Sequence, residues 1–261
     1  MLSKNILTRF KATSIHLTIS ILAFIIILYF IIFHWFPDPH FKVNGGWQGV
    51  RIMIFVDFVL GPCLTLILFN PTKSKKAIIF DLSIITMIQI SAFTWGVYAV
   101  HSQRPIGLTF SQLTRTIYPI LQEELEIQGK TPYDLQQISS AGKPPVFFAR
   151  EAVTEEEQAG VFSYEFIEGI PDYKLTFLLE PASDHIDELF NASLEKTRLP
   201  PKSFKDIRHN YLEDNNLDEN DLAFVPFEGR YGYSLLVFDR TGIAIDSIPD
   251  PRYNEYSSFF F

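Results

Sequence analysis

Cysteine occurs once in this sequence, at Cys63, inside an apolar stretch. No internal disulfide can brace the chain, so any exported region must be held by a packed core, for which about 150 residues suffice. The histidines His16, His34, His40, His101, His185 and His209 never pair at metal-ligand spacing, which leaves no zinc motif. A G-x-S-x-G turn, a Walker loop and a dinucleotide fingerprint are also missing. No catalytic residue, cofactor or metal is therefore expected. Basic residues are scarce after residue 100, where 14 Lys and Arg face 27 acids. That deficit disfavours nucleic acid, whose phosphates need cationic contacts.

What the chain has in abundance is long apolar runs. Residues 1–100 carry a net charge of +5 and residues 101–261 a net charge of −13, so two environments are the first expectation. The three runs lie at 15–36, 50–69 and 78–100. Each is roughly 20 residues, about 30 Å as a helix, which matches a bilayer core. The first run is followed by Trp35-Phe36-Pro37 rather than a small-residue cleavage site, so a retained anchor fits better than a cleaved signal. The expected class is a membrane protein: three transmembrane helices followed by a small mixed α+β extracytoplasmic domain.

Basic residues orient the spans. Lys4, Arg9 and Lys11 precede the first, and Lys73, Lys75 and Lys76 separate the second from the third. The other flanks hold only Lys42, Arg51 and Arg104. Residues 1–14 and 70–77 are thus expected in the cytoplasm, with the 37–49 loop and the 101–261 domain in the periplasm of an inner membrane. Trp35, Trp47, Trp95 and Tyr98 fall near the outer boundary, as an aromatic belt does. Asp81 is expected in the first turn of the third span, where a negative charge meets the positive helix end and, with Lys73, Lys75, Lys76 and Arg104, fixes depth.

Asp57 is the anomaly of the second span. At about 1.5 Å per residue it lies about 10 Å deep, and Gln89 of the third span reaches nearly the same depth from the other side. A carboxylate there is costly against lipid, so Asp57 is expected to face a helix, with Gln89 as candidate donor and Ser91 and Thr94 as others. It acts either as polar glue between two spans or as a contact for a partner's helix. Gly61 allows close approach, and Pro62 removes a hydrogen bond and kinks the helix before it.

In the exported part, Ile117 to Ile127 reads as a short helix interrupted by Pro119, and Tyr173 to Leu179 as a strand. Asp184 to Lys196 reads as a helix capped by Ser183 or Asp184, with Ile186, Leu189, Phe190 and Leu194 on one face. Ser203 to Leu212 reads as another, with Phe204, Ile207 and Tyr211 aligned. Tyr233 to Ile248 reads as a hairpin turning at Asp239 to Gly242, with a further turn at Gly229 to Gly232. The acidic runs Glu155 to Glu157 and Glu213 to Asp221 lack calcium-loop spacing and read as solvated surface.

The run from Val56-Asp57 through Gly61-Pro62 and Thr65, then Phe69-Asn-Pro71 with Lys73, then Phe80-Asp81-Leu-Ser83, resembles the signature of the TfpX/TfpZ type IV pilin accessory family. Lys11-Ala12, His16, Tyr98, Arg104-Pro105 and Val237-Phe-Asp239-Arg-Thr-Gly242 extend the likeness. The resemblance covers the first 105 residues well and implies a non-enzymatic inner-membrane protein that assists stability, presentation or assembly of a cognate type IV pilin, in contact with the pilus assembly machinery. It also implies a strand after Arg104-Pro105. A membrane-anchored envelope enzyme or sensor is the alternative, with Asp38, His40 and Arg104 near the outer boundary; cytoplasmic segments of about fourteen and seven residues count against a sensor.

Overall fold

A computed structural model of the chain describes residues 2–36, 40–139, 142–193 and 202–249. It divides into two compact units, Met1–Pro37 with Gly45–Ser102, and Asp38–Asn44 with Gln103–Phe261.

The first unit is built from long apolar helices. Leu2–Phe30 continues as a π-helical turn over Ile31–Trp35. Gly46–Ile54, a π turn over Phe55–Leu60 and Gly61–Leu68 follow one another without a break. Lys75–Ser102 completes the set. The stretches Asn5–Trp35, Gly46–Leu68 and Lys75–Ser102 are long and apolar enough to cross a membrane. Their outward faces are apolar as well, with Ile19, Ile26, Met87 and Trp95 exposed, and such all-round hydrophobicity suits a nonpolar solvent. The distortion expected at Pro62 takes the form of the π turn before it, in which the Gly61 N–H bonds to the Val56 carbonyl five residues back. Asp81 departs from expectation. The helix begins at Lys75, so Asp81 lies in its second turn, and its carboxylate pairs with Lys73.

The second unit centres on a seven-stranded mixed sheet. Its strands are β1 (Pro105–Ser111), β2 (Thr116–Leu121), β3 (Val146–Ala149), β4 (Leu179–Pro181), β5 (Ala223–Gly229), β6 (Gly232–Phe238) and β7 (Ala244–Pro249), in the order β4-β3-β1-β2-β5-β6-β7. Pairing is parallel between β1 and β3 and between β2 and β5, and antiparallel elsewhere. Side chains alternate between faces, as the two-residue strand period requires. Phe148, Val225, Leu236 and Phe238 join one cluster with Leu189 and Ala192 of the helix Ile186–Ala192. On the other face Phe147 meets Leu125 and Leu135, while Phe224, Leu235 and Val237 meet Ile207, Tyr211 and Leu212 of the helix Lys202–Asn215.

The strand expected after Arg104-Pro105 is β1. Gly107 lies within it, opposite Ile120, and a Cβ there would fall 2.9 Å from the Phe147 ring. The hairpin is also present: β6 and β7 flank Asp239 to Gly242, and Gly242 has φ +75. Asp239 Oδ1 accepts from the Thr241 and Ile243 N–H groups and closes that turn. Gly229 and Gly232 face each other across the β5–β6 turn.

Three expectations need correction. Ile117 to Leu121 is not helical; it is most of β2, and the helix occupies only Gln122–Ile127. Pro119 costs a helix a hydrogen bond, whereas here the β2–β5 ladder needs none from it, its recorded pair being Ile117 with Phe227. Tyr173 to Leu178 is not a strand but two 3₁₀ turns, Asp172–Lys174 and Thr176–Leu178. Side chains take the bonds that a ladder would supply: Thr109 Oγ1 donates to the Tyr173 carbonyl at 2.6 Å, and the Thr176 N–H donates to Gln128 Oε1 at 2.8 Å. The helix read from Asp184 begins at Ile186 after a 3₁₀ turn over Ala182–His185, and no side chain bonds at its cap. Leu189 is the fully buried member of its face. Leu194 to Lys196, Asp38 and the side chain of Phe204 lie outside the described residues.

Residues 40–44 have a place that the sequence pattern does not announce. They belong to the sheet unit, although they lie between the first two apolar helices in the chain. The short helix His40–Val43 packs on β5 and β6, and Val43 enters the core beside Phe227.

Candidate functional site

A helix in an apolar setting has few ways to hide a polar group, so polar side chains there collect where helices meet. In the first unit they meet at an open pocket of about 600 Å³. Ala12, His16, Ile19 and Ser20 line it from the first long helix, Asp57 and Thr65 from the second, and Thr86, Gln89 and Phe93 from the third. Asp57 is only 5% exposed, and the π turn that carries it makes it the buried residue of that turn.

Asp57 and Gln89 thus reach the same pocket, as their depths imply, but no hydrogen bond joins them. Thr65 Oγ1 donates to the Gly61 carbonyl at 3.2 Å. The same hydroxyl lies 2.6 Å from His16 Nδ1, a hydrogen bond between the first and second helices. His16 also lines the pocket that Asp57 enters. The polar groups that share the pocket with the buried carboxylate are thus His16, Thr65 and Gln89, one from each long helix. His16 and Thr65 both stand in the motif that carries the family resemblance, and a lone His within an apolar run, with Ala12, Ile19 and Ala23 at helical spacing about it, is the sequence signal for this face.

Gly61 and Pro62 are buried inside the helix set. A Cβ on Gly61 would fall 1.9 Å from Gln89 Nε2, so the glycine is where the second and third helices close on each other. The obstructing atom is the end of a flexible side chain. Gly61→Ala is expected to lower stability by about 1–2 kcal/mol through overpacking. Gly61→Ala/Gln89→Ala is expected to melt with the Gln89→Ala single variant, a coupling readable by thermal unfolding in detergent. Lys75 and Lys76 open the third helix and are exposed, and Arg104 stands between the end of that helix at Ser102 and the start of β1 at Pro105.

Among the described residues of the sheet unit the most enclosed titratable group is His40, which is 3% exposed and edge-on to the Phe227 ring at 5.3 Å. Its protonation follows from its neighbours. Asn44 Oδ1 accepts from the Arg230 N–H at 3.4 Å, which leaves the Asn44 amide N–H₂ to donate to His40 Nδ1 at 3.1 Å. His40 Nδ1 must then be an acceptor and the ring neutral. Burial lowers its pKa from the ordinary 6.5 to about 4, in the same sense.

Comparison with known proteins places the chain among fimbrial assembly proteins. The chain is 36% identical over 100 residues to the fimbrial assembly protein of serogroups C1 and C2 of Dichelobacter nodosus, a match that covers 38% of this chain and 76% of that relative. The serogroup I and serogroup E1 fimbrial assembly proteins of the same organism are also 36% identical over 100 residues, and there the match spans 39% of each relative's length. No protein-family model matches the chain, and no solved structure matches it significantly. With 36% identity across 76% of one such relative, the chain belongs to the fimbrial assembly protein family.

Proposed function

We propose that this chain is a non-enzymatic accessory protein of type IV pilus biogenesis, seated in the inner membrane with its sheet domain in the periplasm, and that it holds a cognate pilin in a chaperone-like way before assembly. The pocket at Asp57 carries the reading. It is open to an approaching apolar helix along Ile15, Ile19 and Ile90, all exposed, while its floor offers Asp57, His16 and Gln89 as polar partners. A pilin subunit waiting in the bilayer presents such a helix. Relatives named fimbrial assembly proteins support the pathway.

Deletion of the gene in a piliated strain, complemented by point variants, tests this. Deletion is expected to lower surface pili and pilin level together. Asp57→Leu removes the buried carboxyl, and an unmet partner for a buried polar group costs about 1–3 kcal/mol. Held pilin is then expected to fall by about tenfold or more. Photocrosslinkers at Ile15, Ile19 and Ile90 are expected to trap pilin. Unchanged pili and pilin in the deletion strain would overturn the reading.

A further inference from the structure

The helix Glu155–Ser163 and the π turn Tyr164–Glu168 that continues it bury no residue. They are firmly held all the same. Glu157 donates its N–H to Thr154 Oγ1 and takes the Val153 and Thr154 N–H groups on its carboxylate, and Arg150 pairs with that same carboxylate. Beneath them, Val161 and Tyr164 pack on Ile170, Leu175 and Leu178. Gly160 lets the Phe177 ring come close enough that a Cβ there would lie 3.2 Å away.

The outer face is apolar. Phe162, Phe166 and Ile167 are 62%, 72% and 73% exposed, and the two rings touch each other with centroids 4.7 Å apart. The π turn is what gathers them. Its wider winding brings the residue five positions on alongside the residue four positions on, so Ile167 flanks Phe162 as Phe166 does. Rigid aromatics left uncovered on an ordered helix are the composition of an interface centre.

Charge says what covers them. Between residues 151 and 173 there are seven acids and no Lys or Arg. Glu157 is taken by Arg150, while Glu155 and Glu156 of the same helix and Glu165 and Glu168 of the π turn that carries Phe166 and Ile167 stand exposed, without an ion pair among the described residues. Anionic lipid headgroups are repelled by such a rim. We infer that Phe162, Phe166 and Ile167 form a docking ridge for a protein surface with an apolar centre and a Lys- or Arg-rich rim. Resting on the pilus reading above, that surface belongs to the globular head of the pilin.

The full chain in lipid nanodiscs, titrated with the soluble head of the cognate pilin, tests the assignment. Phe162→Ser/Phe166→Ser and Glu165→Lys/Glu168→Lys replace only exposed residues, so both are expected to melt like the wild type. Each is expected to weaken head binding by about tenfold or more, as loss of interface hot spots does. Wild-type affinity is expected to fall with added salt, since exposed charges are screened. A head that binds both variants as it binds the wild type overturns the ridge and leaves the pilin reading standing. A head that does not bind the wild type overturns both. A spin label at Phe166→Cys in a Cys63→Ala background adds the membrane outcome: strong oxygen accessibility in nanodiscs without pilin would assign the ridge to lipid and overturn the protein partner.

Discussion

Gly229→Ala is expected to pull residues 40–44 off the sheet. A Cβ at position 229 would lie 2.5 Å from the Val43 carbonyl oxygen, 2.7 Å from Asn44 Oδ1 and 2.9 Å from the Val43 carbonyl carbon. Two of those atoms are backbone, so no rotamer change relieves the clash. At Gly61 only the end of Gln89 stands in the way, and the outcome is milder. The segment is tied by the Tyr231 N–H to the Val43 carbonyl at 2.8 Å and by the Arg230 N–H to Asn44. Overpacking costs about 1–3 kcal/mol and each lost hydrogen bond about 1 kcal/mol, so a loss of about 3 kcal/mol is expected. Amide exchange at Tyr231 reads the tie directly, and Gly229→Ala should accelerate it by about a hundredfold if it opens through this segment. Exchange and melting unchanged from the wild type would mean that the segment is not held there.

Acid is expected to loosen the same place. His40 has a folded pKa of about 4 against an ordinary 6.5. Above pH 6.5 the ring is neutral folded or unfolded, and its contribution is full. As pH falls from 6.5 toward 4, the unfolded chain binds a proton that the folded chain refuses, so stability declines across that window and levels off below it. The whole decline amounts to about 3 kcal/mol. Carboxylates do not imitate it: Glu157, held down to about 2 chiefly by the Arg150 guanidinium, gives up its contribution only below its ordinary value of 4.5. His40→Gln keeps an acceptor for Asn44 and cannot titrate. The difference in melting temperature between wild type and His40→Gln, followed from pH 7.5 to pH 4, is expected to shift steadily in favour of the variant. A constant difference would reject the mechanism.

How much of this could be read without coordinates depended on what each feature required. Helix length and apolarity are local, so the three long helices were plain. Depth along a helix needs only the rise per residue, which is why Asp57 and Gln89 reach one pocket. Direction around a helix needs the winding to be regular, and the π turn over Phe55–Leu60 breaks that regularity beside Asp57. His16 and Thr65 line that pocket together with Gln89, and they bond to each other. The β6–β7 hairpin was legible because Gly242 and Asp239 solve a local problem of turn geometry. Tyr173 to Leu178 was not, because Thr109 and Gln128, distant in the chain, decide where its backbone bonds go. The packing of His40–Val43 on β5 and β6 left no local mark at all. Phe162, Phe166 and Ile167 show only as apolar letters, and their exposure is a tertiary fact.

The bond between Asn44 and the Arg230 N–H joins residues 186 positions apart. A ribosome adds about 5–20 residues per second, so roughly ten to forty seconds separate the synthesis of one partner from that of the other. For nearly all of that interval His40 and Val43 have no strand to rest on, because β5 is made only just before Arg230 and β6 only after it. Any nascent chain halted before Ala223 carries this segment uncovered, and a quality-control protease that cuts between the first two apolar helices would distinguish finished molecules from unfinished ones at this single point.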